Sequence, residues 1–173
     1  QSKEILERDD YQLILVNNGS TDNSKHVLKK LESEYKNLKI INIEKNQGYG
    51  GAIVSIFKKA KEIDADILVT FDGDGQHRIE DLKNIINPIN SKLADIVIGS
   101  RFLGDDSNIP KVRKFGIKTI TSISNTVSEL NLTDSQSGFR AYNRKAIENL
   151  NLSEKGMGIS TEILIKASKI GLS

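Results

Sequence analysis

Short apolar runs rich in β-branched residues alternate with longer stretches in which apolar positions recur every three or four residues. The runs at 11–16, 38–43, 66–71 and 95–98 predict strands. The stretches at 22–36, 49–63 and 79–91 predict helices, the first marked by Val27, Leu28 and Leu31. Each gap between strands is long enough for a crossover, which parallel pairing requires. The pattern is therefore α/β, a mostly parallel central sheet with flanking helices. After Ile98 a polar stretch over 99–114 leads into a predicted helix at about 115–130, and a last helix is expected over 159–170. No linker, repeat or low-complexity block interrupts the chain, so residues 1–173 read as a single domain.

Sheets of this kind bind ligands beyond the carboxyl ends of their strands. The loops after Val16, Ile43, Phe71 and Ile98 are thus expected to border one site. Composition narrows its chemistry. With 37% hydrophobic and 28% charged residues the chain is an ordinary globular domain. No run reaches the roughly 18 apolar residues of a membrane-spanning helix. The absence of cysteine excludes disulfides, thiol catalysis and zinc–thiolate centres. A net charge of +2, from 25 basic and 23 acidic residues, gives no reason to expect a nucleic-acid partner.

The first loop reads Asn17-Asn18-Gly19-Ser20-Thr21-Asp22. Its hydroxyls and Asp22 suit a helix cap, while two amides at a strand end offer donors and acceptors to a nucleobase edge. The second, Asn46-Gln47-Gly48-Tyr49-Gly50-Gly51-Ala52, fits either a phosphate cradle at a helix start or a tight turn seating that helix. It matches neither the dinucleotide fingerprint nor the P-loop. The third, Asp72-Gly73-Asp74-Gly75-Gln76-His77, places two carboxylates one residue apart at the end of an apolar strand. Like charges so placed call for a cation, and hard oxygen ligands favour magnesium, manganese or calcium. A calcium-binding EF-hand loop fails, because His77 stands where Gly is required and Lys83 where Glu is required.

Taken in this order, the three loops resemble the family 2 glycosyltransferases of the GT-A fold, above all dolichyl-phosphate mannose synthases and bacterial polyprenyl-phosphate sugar transferases. Gly99-Ser100-Arg101 and Asp134-Ser135-Gln136-Ser137-Gly138-Phe139-Arg140 extend the likeness over nearly the whole chain. It departs where Asn17-Asn18 replace the family's paired aspartates. The resemblance implies the GT-A nucleotide-diphospho-sugar transferase fold, with the family's first strand and part of its acceptor region lying outside this sequence.

It also implies an inverting, metal-dependent hexosyltransferase of the cell envelope. The donor would be a UDP-sugar or GDP-sugar and the acceptor a polyprenyl phosphate. Asp72, Asp74 and Gln76 would hold Mg2+ or Mn2+; Asn17, Asn18, Asn46, Gly48, Asp72 and Gly73 would bind the donor. Arg101, Arg113 and Arg140 would meet the acceptor phosphate, with Asp74, Asp134 and Arg140 as the catalytic set. Work in the cytoplasm, or at the cytoplasmic face of a membrane, follows, the membrane being reached through parts absent from this chain. Transfer to a saccharide or protein hydroxyl, and a nucleotide-binding module without turnover, are the competing readings.

Overall fold

The computed structural model describes residues 10–74, 77–103, 111–128 and 132–173, with Lys111, Arg113, Val127 and Ser128 described by backbone alone. Strand β1 (Leu13–Asn18) is followed by helix α1 (Ser24–Glu34), β2 (Leu38–Ile43) and α2 (Gly48–Glu62). Then come β3 (Ile67–Thr70), a short 3-10 turn (Ile79–Asp81), α3 (Leu82–Asn90) and β4 (Ile96–Ile98). Helix α4 (Lys111–Ser128), β5 (Arg140–Asn143), α5 (Arg144–Asn149) and α6 (Ile159–Lys169) complete the described chain.

Strands β1 and β2 pair in parallel, with Leu13 opposite Leu38 and Asn17 opposite Asn42. Strand β5 lies antiparallel between β3 and β4, so that Thr70 and Ile98 both face Arg140 across the ladder. It follows that β3 and β4 run in the same direction, as expected of crossover-connected strands. The sequence pattern gives no sign of β5. Its four residues carry a leading arginine and no apolar alternation, and α5 begins at once. Asn143 starts that helix by accepting a hydrogen bond from the Ala146 amide at 2.8 Å.

The β3–β5–β4 sheet is covered on both faces. Period-two alternation sends Ile67, Val69, Val97 and Ala141 toward α3, whose Leu82, Ile85, Ile86 and Ile89 form a continuous stripe. Leu68 and Tyr142 point the other way, into a larger core built from Ile53, Phe57 and Ala60 of α2, Ala146 and Ile147 of α5, and Ile159, Ile163 and Ala167 of α6. Phe57 meets Tyr142 edge-on, with ring centroids 4.9 Å apart.

Helices α2, α3 and α6 all stop in the same way, through a left-handed residue one place beyond the cap: Asp64, Lys92 and Gly171. The next amide then turns back onto the last turn, as Ala65 does on the Ala60 carbonyl and Leu172 on that of Ala167. Only one of these three stops uses glycine, yet the apolar periodicity locates all three ends to within a residue. Strand β1 runs two residues past the predicted end, and this carries Asn17 and Asn18 from the loop into the sheet.

Candidate active site

The four loops expected to share a site are joined by a chain of contacts. Asn18 donates through Nδ2 to Gly48 O at 2.8 Å and to Asn46 Oδ1 at 3.2 Å, and its Oδ1 accepts from the Gln47 amide at 3.0 Å. Asn17 is buried; it donates to Asn42 Oδ1 at 3.0 Å and accepts from Ser20 N at 3.3 Å. Both amides are thus committed to clamping the first loop on β2 and the second loop. A carboxylate could only accept, so an asparagine, which both donates and accepts, is what this clamp needs.

The glycine-rich second loop takes its shape from the protein itself. Gly48 has φ +76°, and a Cβ there would collide with the Lys155 carbonyl. The Gly51 amide, in the first turn of α2, donates to that same carbonyl at 3.3 Å. The 153–158 segment therefore crosses the start of α2, where a phosphate cradle would have kept the amides open. Glu162 fastens this segment from below. It accepts from the Ser153 and Glu154 amides and from Lys166. Burial opposes its ionisation, yet these hydrogen bonds hold its pKa down at about 2.

Tyr49 continues from this loop to the third. Its hydroxyl lies beside the Asp72 carboxylate, and desolvation together with the Asp72 charge pushes the phenol up to about 12. It stays protonated and serves as a donor. Gly138 closes the group, since a Cβ there would stand 2.6 Å from Asp72 Oδ2 and 2.9 Å from the Tyr49 oxygen. Asp72 is the half-open member, with 41% of its side chain exposed, and His77 Nε2 lies 4.0 Å from its Oδ2. The His77 ring stacks on Phe139, with centroids 5.2 Å apart. Asp74 and Gly73 are exposed on the same turn. Space for a Cβ at Gly73 is open, so packing does not demand glycine there.

Beyond Asp72 stands Arg101, on the loop after β4. Asp134 holds it in a two-pronged pair, Nε to Oδ2 at 2.7 Å and Nη2 to Oδ1 at 2.8 Å, and accepts from the Arg101 amide as well. Burial works against ionising Asp134, but the Arg101 hydrogen bonds outweigh it and lower its pKa. Hydrogen bonding to Asp134 in turn raises that of Arg101, against desolvation, and the Asp72 charge adds to the effect. Asp134 is fully buried, so it orients Arg101 and does not open onto solvent.

Arg140 is placed differently from Arg101. It is 2% exposed and donates to the carbonyls of Ser137 at 2.8 Å, Ser135 at 2.7 Å and Ser160 at 3.4 Å. The guanidinium ties the Asp134–Ser137 turn to α6, where Arg140 was expected to meet an acceptor phosphate beside Arg101. Arg113 has its backbone in the first turn of α4, its side chain being outside the described residues, as is Gln76 altogether. Two contributors escape a reading by motif: Tyr49, whose only signal is a phenol among glycines, and the 153–158 segment, which carries none. Among the described residues no three histidine or acidic side chains converge on one metal position.

Against known sequences, the model of the family described as "Glycosyl transferase family 2" matches residues 2–150. A UDP-N-acetylglucosamine–dolichyl-phosphate N-acetylglucosaminyltransferase of Methanococcus voltae is 38% identical, over 91% of this chain and 69% of its own length. A dolichol-phosphate mannosyltransferase of Pyrococcus furiosus is 31% identical, over 90% of this chain and 44% of its own. For an undecaprenyl-phosphate mannosyltransferase of Micrococcus luteus the figures are 27%, 92% and 67%.

Proposed function

The chain belongs to glycosyl transferase family 2, and from that membership we propose that it moves a hexose, with inversion, from a UDP-sugar or GDP-sugar to a polyprenyl phosphate at the cytoplasmic face of a membrane. The observation that carries the choice of acceptor is the Arg101–Asp134 pair set beside the carboxylate loop. An acceptor hydroxyl must lose a proton and needs a receptive base. Asp134, the carboxylate nearest Arg101, is buried, paired and lowered in pKa, which makes it a poor one. A phosphate acceptor is already anionic and needs alignment and charge neutralisation, which a held guanidinium supplies.

In this reading one acceptor phosphate oxygen forms the bond to the anomeric carbon while the bond from that carbon to the donor diphosphate breaks. Arg101 aligns the acceptor, Tyr49 and Gly138 fix the Asp72 carboxylate, and the Asn17–Asn18 clamp shapes the shelf on which the nucleoside lies. Asp72 and Asp74 offer hard oxygen donors suited to Mg2+ or Mn2+, a cation that commonly binds two carboxylates and takes its other oxygens from a diphosphate. Such a cation would offset the charge that gathers on the departing nucleoside diphosphate.

The test is binding followed by transfer. Thermal shift should rise with one of the UDP- or GDP-sugars in manganese and fall back in EDTA, and Asp74→Asn should remove the manganese-dependent part while leaving the circular dichroism unchanged. Radiolabelled sugar should then appear on a polyprenyl phosphate and not on a neutral saccharide. Donor binding indifferent to EDTA would refute the metal role. Transfer to a saccharide alone would refute the acceptor.

A further inference from the structure

Two glycines flank Tyr49, and both let the 153–158 segment cross the first turn of α2. A Cβ on Gly50 would run into the Glu154 carbonyl, as one on Gly48 would into that of Lys155. Gly50 is buried under the crossing, and the Tyr49 ring packs at the edge of the core that Phe57, Tyr142 and Ile159 help to build. The backbone here is thereby held from outside and the ring from within. Together they decide where the Tyr49 hydroxyl stands.

That hydroxyl is aimed at Asp72. The Tyr49 oxygen, Asp72 Oδ2 and Asp72 Oδ1 lie 2.9, 2.6 and 3.0 Å from the point where a Gly138 Cβ would stand, so one glycine makes room for all three. The phenol donates a hydrogen bond to the carboxylate. His77 Nε2, 4.0 Å from Oδ2, stands beyond hydrogen-bond reach. A carboxylate that accepts from a fixed donor loses freedom to rotate and commits one of its two oxygens. The exposed remainder of Asp72 then meets a cation with the other oxygen alone.

Cations differ in how they tolerate such a ligand. Calcium gathers roughly six to eight oxygens in a flexible shell and often takes both oxygens of one carboxylate. Magnesium holds to an octahedron and accepts one or two carboxylates, with water and phosphate supplying the rest. Manganese likewise suits octahedral oxygen sites. We infer that Tyr49 confines Asp72 to a single metal-facing oxygen and so selects a small octahedral cation against calcium. The inference rests on the assignment of a cation to Asp72 and Asp74. It narrows the choice of magnesium, manganese or calcium that the ligand types alone leave open. Tyr49 is then a positioning residue, acting through Asp72 and touching neither cation nor sugar.

Equilibrium dialysis against manganese, with and without UDP or GDP and with calcium as competitor, tests it on the chain and on Tyr49→Phe. The parent should hold manganese against an excess of calcium. Tyr49→Phe, at unchanged circular dichroism, should keep its manganese affinity within about twofold, while calcium displaces manganese at about one fifth of the parent's concentration or less, the scale of one lost hydrogen bond. An unchanged calcium-to-manganese ratio would overturn the proposal. So would an equal loss of both cations, which marks a packing role only, and so would a parent that binds calcium as well as manganese. Failure of the cation reading looks different: the parent would retain no manganese under any of these conditions, and the proposal would fall with it.

Discussion

Asp134 is where a residue type visible in the sequence acquires a role that only packing reveals. As one carboxylate in a loop it is compatible with a base, a cap or an acceptor contact, and its pairing with Arg101 selects among these. Its pKa is depressed on folding. The stability it contributes is therefore fully present above the unfolded value of about 3.9 and is lost as pH falls through the lower folded value. Asp134→Asn should cost about 3 kcal/mol in urea unfolding at pH 7, since it leaves a partly buried guanidinium without its counter-charge. The difference from the parent protein should shrink toward zero below the folded pKa. A deficit that stayed constant with pH would mean that shape, and not the ion pair, accounts for the loss. Residue identities at the site were legible because carboxylates, amides and glycines at strand ends are unusual. Which partner each would take was not, because Arg101 and Arg140 look alike until one is paired in the cleft and the other donates to three carbonyls.

The elements legible in the sequence were those whose own residues carry the pattern. Strand β2 runs from Leu38 to Ile43 as the apolar run predicts, and α2 and α6 match their periodic stretches to within a residue or so. Elements that depend on neighbours were not legible: β5 exists because β3 and β4 flank it, and α5 because Asn143 caps it. The start of α2 belongs to the second group. Its glycines match a phosphate-binding loop in type, yet the crossing 153–158 backbone is sufficient reason for them. Gly48→Ala should accordingly destabilise the protein by about 2 kcal/mol or more, from a left-handed backbone position and the obstruction at the Lys155 carbonyl together. Chemical denaturation measures it. A variant as stable as the parent, with only nucleotide affinity reduced, would return the loop to the cradle reading.

Across the whole molecule the packing is uneven, and the unevenness follows the site. Helices α2, α3, α5 and α6 close over the β3–β5–β4 sheet with buried side chains from every one of them, whereas no residue of α1 is buried. Local opening is resisted chiefly by apolar area that must be exposed, so the unit formed by β1, α1 and β2 should open more readily than the rest. The bonds of Asn18 to Asn46, to the Gln47 amide and to the Gly48 carbonyl tie the carboxyl end of its β1 strand to the start of α2. Hydrogen exchange should therefore show α1 amides exchanging well before those of Phe57, Tyr142, Ile147 and Ile163. A nucleotide-sugar should slow exchange mainly at 17–20 and 46–50, because a ligand held by the ordered loops stabilises whatever must stay closed to bind it. Protection of α1 equal to that of α2 in the free protein would show that opening is global. Protection on ligand addition confined to the core, with none at these loops, would place the donor elsewhere.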